Sequence, residues 1–179
     1  MFEKIRKLAS PKQNLAKLDV LVHPWYLDFQ NKRVGSSDSR TYGLDYGALW
    51  KNRYQSFRDD SEHALLVISS IRGNETNKPT EIHQYTEFQK QVEIELGNRF
   101  AILPFEFYEK LGRYSISRFN WKLCSNADIS VYGEIFEWCV EGVCRSLTEQ
   151  MPESKITKIP GLSLTAEQSR KLMISRISL

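Results

Sequence analysis

Ala64-Leu65-Leu66-Val67-Ile68 is apolar at every position, and its reading decides the fold. A strand with one face in water alternates apolar and polar residues, whereas one covered on both faces need not. The segment is therefore read as a strand of a parallel sheet with helices on either side. Upstream, residues 18–22 form a second apolar run that stops at His23-Pro24, and they read as the first strand. Between the two, residues 49–58 place Trp50, Tyr54 and Phe57 at i, i+4 and i+7, which predicts a helix. Downstream, residues 85–96 stack Tyr85, Phe88, Val92 and Leu96 at helical spacing, and Gly97-Asn98 is a stop signal.

The alternation continues to the carboxyl end. Residues 100–103 predict a third strand, and Pro104 to Leu111 a helix in which Glu106 and Lys110 can pair. Ile116, Phe119 and Leu123 permit one more short helix within 113–126, and residues 129–132 predict the fourth strand. Residues 134–150 carry the clearest helix, with Phe136, Val140, Val143 and Leu147 as its buried stripe. A fifth strand is read at 155–159, ended by Pro160-Gly161, and Thr165-x-x-Gln168 resembles a capping box. The expected architecture is a three-layer α/β/α sandwich around a mostly parallel, Rossmann-like sheet of about five or six strands.

A chain of 179 residues is the size of one domain, so residues 1–179 are expected to form a single unit. Residues 1–17 make a basic arm (Lys4, Arg6, Lys7, Lys12 and Lys17 against Glu3), and 30–47 and 70–84 make long loops. The net charge of +3 is too small to mark a nucleic-acid surface. No apolar run approaches the ~20 residues of a membrane helix, and no secretory leader opens the chain. A cytoplasmic location with reduced thiols is expected for Cys124, Cys139 and Cys144.

In an open parallel sheet, ligands bind beyond the carboxyl ends of the strands. Residues that follow those ends are His23, Trp25, Tyr26 and Asp28 after the first strand, Arg72 after the second, Glu106 after the third and Glu134 after the fourth. Tyr42 lies in a long loop that leaves the same edge. These are the candidate contacts for a ligand or partner. No phosphate-cradling glycine loop is present, and no metal site is expected, because His23, His63 and His83 are far apart and the cysteines lack ligand spacing. No cofactor is implied.

The run Val131-Tyr132-Gly133-Glu134-Ile135-Phe136-Glu137-Trp138-Cys139-Val140 passes from a strand into a helix. It resembles the isochorismatase-like cysteine hydrolases, in which a strand ends in glycine and Cys-Val follows six and seven residues later. Asp28-Phe29 is similar to the end of that family's first-strand motif, while the position of its general-base aspartate falls on Pro24. The family's threonine after the glycine is Phe136 here, and neither Lys110 nor Lys122 has the flanks of its catalytic lysine.

The resemblance implies Cys139 as nucleophile, with His23 or Asp28 as base and the amides around Cys139–Val140 as oxyanion donors. Two functions follow. One is a divergent, non-catalytic binding or interaction module, whose partner is a small molecule, a protein or a second copy of the chain. The other is a hydrolase of small amides or esters with a rearranged site.

Overall fold

The computed structural model describes residues 15–23, 46–68, 90–103, 107–108, 113–114, 124, 126–133 and 135–168. Strands β1 (Lys17–Val22), β2 (His63–Ile68) and β3 (Phe100–Leu103) are followed by the short β4 (Phe107–Tyr108) and β5 (Arg113–Tyr114). Then come β6 (Asp128–Gly133) and β7 (Ile156–Lys158). The helices are α1 (Tyr46–Asp59), α2 (90–96) and α3 (Glu141–Gln150). Five strands form one sheet in the order β3-β2-β1-β6-β7, every pair parallel.

Chain direction reverses its course across the sheet at one place. From β1 the chain builds outward through β2 to β3, then returns to add β6 and β7 on the other side of β1. The β1–β6 boundary is thus the topological switch point of a doubly wound sheet, where Val22 pairs with Gly133.

Alternation along each strand sends side chains to opposite faces. Leu18, Val20, Val22, Ala64, Leu66, Ile68, Ile129 and Val131 pack with Val140, Val143 and Leu147 on the α3 face. Leu21, Leu65, Val67 and Tyr132 pack with Phe57 from α1 and with Val92 and Leu96 from α2 on the other. Both faces are covered, which is why β2 has no polar position between Ala64 and Ile68 and is buried throughout. No helix among the described residues is long and apolar enough to cross a membrane.

Local chemistry sets the element ends. At the end of α2, Gly97 takes φ +56, a left-handed conformation that lets the chain leave the helix for β3. At Thr165 the capping box is formed, because the Thr165 Oγ1 accepts from the Gln168 N–H at 3.2 Å and the Gln168 Oε1 accepts from the Thr165 N–H at 2.8 Å.

Two expectations are corrected. No helix runs from Pro104 to Leu111, since Phe107–Tyr108 pairs antiparallel with Arg113–Tyr114. Aromatic residues close to Gly112 favour a tight strand pairing, and so short a helix would have to bear the full cost of nucleation. The same pairing occupies the start of the 113–126 segment, and the positions read as helical there (Ile116, Phe119 and Leu123) lie outside the described residues. The helix read at 134–150 is also not uniform. Phe136–Val140 forms a π-helical turn before α3 begins, with the Val140 N–H reaching back to the Ile135 carbonyl at 3.1 Å.

Candidate functional site

The rim over β1 and β6 is built from four pieces of chain. Gly133 ends β6 at φ +136, and a Cβ there would lie 1.9 Å from the Val22 carbonyl oxygen. Only glycine lets the two strand ends approach so closely. Its N–H donates to the Ser163 Oγ at 3.2 Å, and the Ser163 hydroxyl donates to the Ile159 carbonyl at 2.9 Å. The Leu164 N–H donates to the Gly133 carbonyl at 3.1 Å, and the Phe136 N–H to the Leu164 carbonyl at 2.8 Å. Ser163 thus ties the segment after β7 to the end of β6.

His23 terminates β1 with φ +48, and its N–H donates to the Ile68 carbonyl at 2.8 Å. Burial pushes its imidazole down to about 4, so the ring is neutral near neutral pH. A neutral imidazole in a poorly hydrated place exchanges hydrogen bonds but does not act as a fixed cation.

Cys139 lies in the π turn that follows β6, so the fold brings it and His23 to the ends of neighbouring strands. The Cys139 side chain is half-buried and packs against the apolar cluster of the α3 face. Around it three backbone donors are engaged: the Phe136 N–H with Leu164, and the Trp138 and Val140 N–H groups with Ile135. Trp138, in the same turn, is 64% exposed. Cys124 and Cys144 belong to the core, and burial pushes their thiols up to about 12 and about 11. The remaining candidates, Asp28, Trp25, Tyr26, Tyr42, Arg72, Glu106 and Glu134, lie outside the described residues. Among the described residues no three His, Cys, Asp or Glu side chains are grouped as metal ligands.

A second polar constellation, which reading the strands as apolar runs had overlooked, sits under α1. The Asp19 carboxylate, in the middle of central strand β1, is 1% exposed. Arg53 of α1 grips it with both prongs, Nε to Oδ2 at 2.5 Å and Nη2 to Oδ1 at 2.6 Å. His63 of β2 reaches Oδ1 at 2.8 Å, and the Tyr132 hydroxyl of β6 donates to Oδ2 at 2.8 Å. Because an ionised carboxylate only accepts, His63 donates through its Nε2–H.

Burial favours the neutral acid at Asp19, but the donors from His63 and Arg53 prevail and hold the carboxyl below its usual range. The signal was present in the sequence. A charged residue between Leu18 and Val20, in a strand that must be buried, requires a partner. Nearby, Arg99 Nη1 donates to the carbonyls of Phe57, Asp60 and His63, fastening the end of α1 to the start of β2.

The fold defines a doubly wound parallel α/β protein with its switch point between β1 and β6. No protein-family model matches the chain, and no curated protein or solved structure is significantly similar to it.

Proposed function

We propose that the chain is a non-catalytic binding module of isochorismatase-like descent that seats a small molecule over the ends of β1 and β6. The observation that carries this reading is that three amides of the turn around Cys139 are already bonded within the protein. An oxyanion site needs N–H groups aimed at empty space where charge will develop. Here the Phe136, Trp138 and Val140 amides are bonded to protein carbonyls, and the Gly133 amide to Ser163. The position of the rim at the switch point supports binding there. Trp138 contributes an exposed aromatic surface on the same turn.

A thermal-shift screen with small molecules, followed by amide chemical-shift mapping on the full chain, tests the proposal. A ligand that raises the midpoint should move the resonances of His23, Gly133 and Ser163, and Trp138→Ala should weaken it without lowering the melting temperature. Cys139→Ser should bind as the native chain does. Turnover of a small amide or ester that vanishes in Cys139→Ser would establish the hydrolase reading instead. Shifts confined to the opposite end of the sheet would remove the site from this rim.

A further inference from the structure

We propose that the Asp19–Arg53–His63–Tyr132 cluster is an acid-labile clamp, which holds α1 on the sheet and releases it before the α3 face opens when the cluster takes up a proton. The geometry is that of an enclosed carboxylate gripped by a partly buried guanidinium. One carboxylate receives four donated hydrogen bonds, from α1, β2 and β6, and His63 and Tyr132 are 3% and 0% exposed. When the Asp19 carboxylate takes up a proton, Arg53, whose side chain is 30% exposed, loses its counter-ion and its guanidinium is left against the sheet without an anion. A partly buried charge left without its partner is disfavoured. At the margin, Lys17 and Asp60 already pair with each other at 2.8 Å and supply no spare anion.

The two faces of the sheet differ in where protonation acts. On α3 the buried side chains include Val143, Cys144 and Leu147, none of which changes charge in acid. The acid-sensitive Glu141, which accepts from Lys158 of β7 and from Arg145, lies at the exposed edge, where an ion pair contributes little. On α1, Phe57 is buried and Tyr54 half-buried, while Arg53 supplies the ionic contact to the sheet and Arg58 a longer one, at 3.7 Å, to Glu95 of α2. Arg99 still fastens the Phe57 carbonyl in acid, so loosening is expected over the turn that carries Arg53. Asp19 is held below its unfolded value of 3.8, so its contribution is complete above that value and is lost as pH falls through the lower folded one.

Hydrogen–deuterium exchange on the full chain from about pH 5 to about pH 2, corrected for intrinsic rates, tests the clamp. Amides of α1 should lose protection while those of α3 keep it, with a difference of roughly tenfold or more. Tyr132→Phe removes one donor, and it should move the opening of α1 upward by roughly half a pH unit while leaving α3 where it was. Asp19→Asn should leave α1 poorly protected at neutral pH. Loss of protection in α1 and α3 over the same pH range would overturn the proposal, as would an unchanged α1 profile in Tyr132→Phe. Should Asp19→Asn fail to fold, the native chain and Tyr132→Phe still decide.

Discussion

At position 133 the backbone adopts φ +136 against the last residue of β1, and the carbonyl of Val22 occupies the place where a side chain would begin. Gly133→Ala would meet both the strained conformation and the clash. It should cost about 3 kcal/mol or more, or abolish folding, as read by the urea midpoint. The spacing of Gly133 to Cys139 was visible in the sequence, but the reason for the glycine was not. That reason is the proximity of β1, which lies more than a hundred residues earlier in the chain. Asp19 teaches the reverse lesson. Its neighbours in sequence mark it as buried, yet Arg53, His63 and Tyr132 could be named as partners only once three strands and a helix were assembled.

Elements were the most legible scale where periodicity was strong. Residues 100–103 carry a strand with the expected limits, and of the stripe Phe136, Val140, Val143 and Leu147 the last three are fully buried while Phe136 is partly buried. Long apolar patterns report the environment of a whole face, so they survive errors at single positions. Short segments between them do not. The 104–111 stretch was read as a helix and contains a strand, because a few residues carry too little pattern to outweigh a neighbour that pairs with them.

The Thr165 cap is an element-scale feature with a separable energy. Thr165→Ala removes the acceptor for the Gln168 N–H and should cost about 1 kcal/mol in thermal denaturation. Gln168→Ala should add little on top of it, since the two side chains act as one box.

For the whole molecule, stability should follow the charge on the sheet's central strand. Arg53→Met would leave the Asp19 carboxylate with only His63 and Tyr132, and should lower stability at neutral pH by roughly 2–4 kcal/mol. The sign with pH is determined by the depressed Asp19 value: the native chain holds this contribution above the ordinary carboxylate range and loses it in stronger acid. The gap between native and variant urea midpoints should therefore narrow as pH falls below about 4. A gap that stays constant would mean that Arg53 acts through packing of its stem alone.

By itself the sequence determined that this chain builds a parallel sheet with helices on both faces, because burial on two sides writes itself into local composition. It also pointed to the carboxyl rim, since that rule requires only strand direction. Tertiary structure alone decided which strands are neighbours, and with them the pairing of Val22 and Gly133 at the β1–β6 boundary. It alone revealed the enclosed Asp19 cluster and the engagement of the amides around Cys139. The physical reason is common to all of these. Hydrophobic pattern is a property of one segment, whereas a hydrogen bond between distant residues belongs to no segment until the chain has closed on itself.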